Sequence, residues 1–153
     1  MDYLTLAALA VGGFTACAEF GAYAFVHPAI RRLPSEYHLA VEQGLLRTFG
    51  RVMPVLMPLT LVIAIVVAWV GRGAAPEAGP VLWRWLAVAG YASALASTVI
   101  VNVPINIATG RWDPTNPPED WRRHRARWEY FQGVRSWLLL AGFFATCIGV
   151  ATD

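Results

Sequence analysis

Residues 52–70 read VMPVLMPLTLVIAIVVAWV, nineteen positions without a charge. A helix needs about 20 predominantly apolar residues to cross the hydrocarbon core of a bilayer. This stretch meets that length and decides the class of the fold. Outward from it, three more stretches do the same. Tyr3 to Val26 is 24 residues with one charge, Glu19; Trp85 to Ala108 is 24 with none; Ser136 to Thr152 is 17 with none and is extended by the segment before it. Four spans use most of the 153 residues. The expectation is one all-α domain, a four-helix transmembrane bundle. AAPEAGP at 74–80 reads as a short loop, and no repeat or low-complexity linker is visible.

Composition agrees. The chain is 57% hydrophobic and 14% charged, whereas soluble domains carry about 25% charge. That excludes a disordered chain, a nucleic-acid-binding domain and an ordinary soluble enzyme, so no nucleic-acid partner is expected. Cys17 and Cys147 lie in apolar runs with no metal-ligand spacing and read as small buried hydrophobes. The first flank holds Asp2 and no positive charge, so the opening stretch reads as a retained helix, not a cleaved signal.

The net charge of +2 hides an asymmetry. All 12 basic residues are Arg, and ten of them (31, 32, 47, 51, 111, 122, 123, 125, 127 and 135) fall between spans one and two or between spans three and four. Only Arg72 and Arg84 fall on the other side. The positive-inside rule puts the ten at the cytoplasm and both termini outside. The absence of Lys suggests a GC-rich bacterial genome, hence a multi-pass protein of the bacterial inner (cytoplasmic) membrane. Trp69, Trp83, Trp85, Trp112 and Trp137 near span ends read as interfacial anchors.

Polar groups inside spans are expensive unless paired or turned to a cavity, which makes them the best pointers to function. In span one, Glu19, Tyr23 and His27 are spaced i, i+4, i+8 and climb one face with about 40° of drift per step. They could handle protons, or Glu19 could pair with an Arg and fix the packing. In span three, Asn102-Val103-Pro104-Ile105-Asn106 places two carboxamides one turn apart around a proline that loosens the helix, with Thr98 extending the stripe. After Trp112, Pro118-Glu119-Asp120 reads as a helix start. From it Trp121, Arg125, Trp128, Gln132 and Arg135 form a seam on one face of a cytoplasmic helix leading into span four. Arg122, Arg123 and Arg127 lie further outside and suit lipid phosphates. Pro54 and Pro58 are expected to bend span two, and Met53 and Met57 to pack flexibly.

Asn102-Val103-Pro104-Ile105-Asn106, followed by Trp112, Pro118, Asp120-Trp121, Arg127-Trp128 and Arg135, resembles the anthrone oxygenase-like family of small four-span membrane proteins. The resemblance covers the second half of the chain well. The first half matches mainly in span pattern and at His27-Pro28. It implies a membrane oxidoreductase; characterised members of the family oxidise a phenolic anthrone to an anthraquinone with dioxygen and no known cofactor. The residues it carries over are Asn102, Asn106, Arg127, Trp128 and Arg135. One departure stands out: Gln132 occupies the position where the family tends to carry His, and Gln is no base. Proton abstraction would then fall to Glu19 or His27.

The resulting expectation is a cofactor-free oxygenase. Its catalytic residues would be Glu19, His27 and Arg135; Tyr23, Asn102, Asn106, Arg127, Trp128 and Gln132 would hold a lipophilic aromatic substrate. Membrane lipids are the other expected partners, and a homo-oligomer is left open. The alternative is a non-catalytic protein binding a lipid, a quinone or a partner helix. A transporter lacks a visible inverted repeat. Heme or metal ligation by His27, His38 and Glu19 is a minor reading, since no paired His spacing exists. A reporter active only in the cytoplasm, fused to the C-terminus, should stay dark; a bright fusion overturns the topology.

Overall fold

The computed structural model describes residues 2–71 and 78–152. Four long apolar helices dominate: α1 (Tyr3–Ile30), α2 (Ser35–Val70), α3 (Gly79–Thr109) and α4 (Trp121–Ala151). No strand occurs among the described residues. The chain is a multi-pass, all-α membrane protein of four spans. The loop 74–80 lies mostly outside the described residues.

Between helices in lipid there is little hydrophobic drive, so association rests on close packing of small residues. α4 is the spine, with α1 and α3 packed along it, and α2 closes against α1 and α3. The α3–α4 contact is built from Ala87, Gly90 and Ala94 facing Gly142 and Ala145. A Cβ on Gly90 would sit 3.1 Å from the Leu138 carbonyl. Tyr91 fills the centre, its hydroxyl 3.3 Å from that of Thr146. Thr15 and Thr60 join α1 to α2 at 3.0 Å. The outer surface is apolar, with Val62, Ile100 and Phe144 exposed as lipid-facing groups. Cys17 belongs to this outer surface, so its expected burial is corrected; Cys147 is half-buried.

Two local features depart from regular helix. Ala22–Val26 in α1 and Thr98–Asn102 in α3 are π-helical turns. Each ends two residues before a proline, Pro28 and Pro104. A proline ring inside a helix lacks an N–H and collides with the carbonyl four residues back. The wider turn holds one extra residue and relieves that collision. Pro54 and Pro58 by contrast sit within the continuous helix α2.

Helix limits exceed the apolar stretches. α2 starts at Ser35, well before Val52, so Glu36 to Arg51 is helix and not linker. α4 starts at Trp121, just after the expected Pro118. Asp120 there turns its carboxylate to the His124 ring at 3.0 Å instead of capping a backbone amide.

A Cβ on Gly142 would meet the Tyr91 ring at 2.9 Å, whereas nothing lies within 4 Å of one on Gly21. Gly142→Val should therefore lower stability by roughly 1–3 kcal/mol through overpacking. Gly21→Ala should not lower it. Thermal melts in detergent check both.

Candidate functional site

The antiparallel order brings the ends of α1 and α3 together with the starts of α2 and α4, and with them most of the arginines. Inside this end lies a cavity of about 650 Å³, within the usual range for small-molecule sites. One wall is apolar, from Phe49, Met53 and Met57 of α2. The opposite wall is polar, from Glu19 and His27 of α1 and Trp128, Gln132 and Arg135 of α4. Pro54, Val99, Val103 and Ile107 line the cavity and are also exposed on the bundle's outer surface. The cavity thus opens between α2 and α3, whose packing is thinnest around Thr98–Asn102. At the rim, Gln43 Nε2 donates to the carbonyls of Thr109 and Trp112 at 3.0 and 2.8 Å, tying α2 to the end of α3. In the loop beyond, the Thr115 hydroxyl and amide hold the Asp113 carboxyl below its ordinary range.

The first polar cluster lies deepest. Arg135 Nη2 donates to Glu19 Oε2 at 2.7 Å and Gln132 Nε2 donates to the same oxygen at 2.8 Å. Arg135 also donates to Gln132 Oε1, and its Nη1 reaches Thr98 Oγ1 at 3.4 Å. Glu19 is 0% exposed, Gln132 2% and Arg135 6%. The carboxylate therefore meets its counter-charge at one oxygen, while Oε1 has no hydrogen-bond partner. Ser136 donates to the Glu19 carbonyl at 3.1 Å and sets the height of α1 on α4.

The π turns decide which members of each ladder reach the cavity. On a regular helix Glu19 and His27 would stand ~80° apart; one extra residue in the turn reduces this to ~20°. Both line the cavity. Tyr23, inside the turn, packs instead on Gly133, where a Cβ would meet its ring at 2.8 Å. α3 repeats the pattern. Thr98 and Asn106 line the cavity. Asn102 turns away, and its Nδ2 donates to the Trp128 carbonyl at 3.1 Å. Tyr23 and Asn102 are thus supports for the site and not part of its wall. Arg127 is exposed on the outer face of α4 and does not line the cavity. Asn106 Oδ1 is buried without a partner.

A second cluster lies nearer the rim. Arg125 Nη2 reaches Glu42 Oε2 at 2.6 Å. His27 Nδ1 and His38 Nε2 stand 3.4 and 3.8 Å from Glu42 Oε1. Trp128 carries the Arg125 guanidinium over its ring at 4.2 Å and takes the His27 ring edge-on at 4.9 Å. The seam Trp121, Arg125, Trp128, Gln132 and Arg135 is buried throughout, as the spacing on α4 predicts. Glu42 is the residue that sequence reasoning missed. Its signal is the i, i+4 pair His38 and Glu42, hidden because the polar region before Val52 looks like a connection. His38 shares its acid, Glu42, with His27; Glu19 belongs to the other cluster.

The family described as anthrone oxygenase matches residues 46–145, about two thirds of the chain. The chain belongs to that family. No curated protein and no solved structure matches it. The matched region supplies Asn106, Trp128, Gln132 and Arg135; Glu19, His27 and Glu42 lie before it.

Removing one partner of a buried ion pair strands the other, at a cost of roughly 3–5 kcal/mol. Arg135→Met should show this, while exposed Arg127→Met should stay within about 0.5 kcal/mol. Adding Glu19→Gln to Arg135→Met should lose less than the two single changes summed. Melting of the four variants in detergent checks the cycle.

Proposed function

We propose that this member of the anthrone oxygenase family is a membrane oxidoreductase that oxidises a lipophilic phenolic small molecule with dioxygen. The observation that carries the reading is the unpartnered Glu19 Oε1, beside Arg135 on the wall of an apolar 650 Å³ cavity. Overall, one methylene group and one dioxygen become one carbonyl group and one water, the methylene being the central one of an anthrone. A base removes the acidic proton. The resulting anion gives its electrons to dioxygen, forms a C–O bond and takes the proton back from the base to become a hydroperoxide. The hydroperoxide then loses water as the O–O bond breaks and the second C–H proton leaves.

Catalysis by the chain's own groups needs a base, an anion-stabilising donor and a dry aromatic pocket. Glu19 serves as the base through Oε1. Arg135 and Asn106 Nδ2, both from residues that line the cavity, donate to the developing oxyanion. Trp128 offers a flat face for the ring system. Gln132 cannot move a proton; it holds Glu19 and Arg135 in register. No organic cofactor is invoked. The ten-arginine end lies at the cytoplasm in this reading.

A second reading draws on Gln132: with no side-chain base at that position, the cavity would only bind a lipid or quinone. Oxygen uptake with a supplied anthrone separates the two. The wild-type chain in detergent should consume one dioxygen per anthrone. Glu19→Gln and Asn106→Ala should slow it by about 10²-fold or more. Unchanged rates in both remove the site assignment; a co-purifying quinone or lipid without oxygen uptake favours the binding reading.

A further inference from the structure

The oxidation described above leaves the rim cluster without a task, although its polar atoms are oddly placed. His27 Nδ1, His38 Nε2 and Glu42 Oε1 have no hydrogen-bond partner, yet His27, His38 and Glu42 are only 4%, 8% and 2% exposed. Buried polar groups normally pair, and an orphan signals something missing. The separations are informative. At 3.4 and 3.8 Å from Glu42 Oε1, the two imidazole nitrogens stand beyond the mode for a hydrogen bond. Bonds of about 2.0–2.2 Å to a shared tetrahedral ion place neighbouring ligand atoms roughly 3.3–3.6 Å apart, which the His27 nitrogen meets and the His38 nitrogen exceeds by a small shift. Glu129 adds a carboxylate: one ligand atom each from His27, Glu42 and Glu129 lie within 4.8 Å of one another.

We propose that His27, His38, Glu42 and Glu129 form a binding site for a divalent first-row transition ion. Two imidazoles and two carboxylates are the donor set of such ions, with zinc, iron and copper all suited to imidazole. The surroundings orient the ligands as outer-shell groups do. Trp128 and Trp121 pack edge-on against the His27 and His38 rings at 4.9 and 5.3 Å. Arg125 occupies Glu42 Oε2 at 2.6 Å, which leaves Oε1 for the ion. Its charge is spread over the Trp128 face, 4.2 Å away. Arg31 pairs with Glu129 at 3.4 Å from a solvated position and can yield that carboxylate. Four ligands come from three helices, so the ion would clamp the ends of α1, α2 and α4. His27 and Glu42 also line the cavity, so the ion is reachable from it. No step of the oxidation is routed through it.

The test is a titration of the chelator-treated, full-length protein in detergent with Co²⁺, followed by visible d–d absorption, and with Zn²⁺ by calorimetry. One ion per chain is expected, with the intense bands of four-coordinate cobalt and their loss on adding Zn²⁺. Glu42→Gln and His27→Ala should each weaken binding at least about tenfold. His38→Phe, at the start of α2, tests the site with less risk to folding and should do the same. Asn106→Ala, in the cavity but outside the cluster, should bind normally. Folded wild-type protein that takes up no stoichiometric ion overturns the proposal, as does uptake indifferent to all three ligand substitutions. Metal uptake and oxygen uptake are separate readouts, so either reading can fail without the other.

Discussion

Glu19 places a carboxylate inside a helix that crosses a bilayer, and the rest of the bundle is arranged around meeting it. A charge there is tolerated only against a partner or a polar cavity. Arg135 and Gln132 supply the partner at one oxygen, and Ser136 grips the backbone of the same residue. These contacts set both the rotation and the height of α1 on α4. With that register set, His27 reaches the rim cluster and Gly133 receives Tyr23. A well-packed apolar pair would join the helices at least as strongly, since buried ion pairs are poor sources of stability. The pair's value lies in geometry: one carboxylate oxygen is held and the other is left bare.

Much of this was legible in the residues. The four spans follow from hydropathy, and the α4 seam follows from helical spacing on a single unbroken helix. The Glu19–Arg135 pairing is the packing alternative that an intramembrane acid always raises. Tyr23, Asn102 and Glu42 were harder to place. A stripe read at 3.6 residues per turn assumes constant phase, and a π turn breaks that assumption. The prolines that cause the two turns are visible in the sequence, but whether a proline yields a kink, a π turn or neither depends on its neighbours; Pro54 and Pro58 produce no such turn. Glu42 was hidden for a different reason. Polar residues before an apolar run look like connection, whereas here they continue the helix into the site.

The family match and the site do not coincide. Residues 46–145 bring Arg135, Asn106, Trp128 and Glu129, and α1 with the start of α2 brings Glu19, His27, His38 and Glu42. The apolar wall, Asn106 and Arg135 thus belong to the shared region, whereas Glu19, His27 and Glu42 lie outside it. Gln132 bonds Glu19 and Arg135 at once, so it helps to keep the ion pair in place.

The gap between α2 and α3 is edged by Pro54, Val99, Val103 and Ile107, apolar residues on the outer surface of the bundle. For a ligand that dissolves in lipid, the concentration that governs filling of the cavity is its mole fraction in the bilayer. That quantity is set by partitioning, so saturation depends on the ratio of compound to lipid. A compound of modest intrinsic affinity can then fill the cavity at a trace aqueous level. An apparent affinity expressed per volume of water would change whenever the amount of membrane changed, with no alteration in the protein.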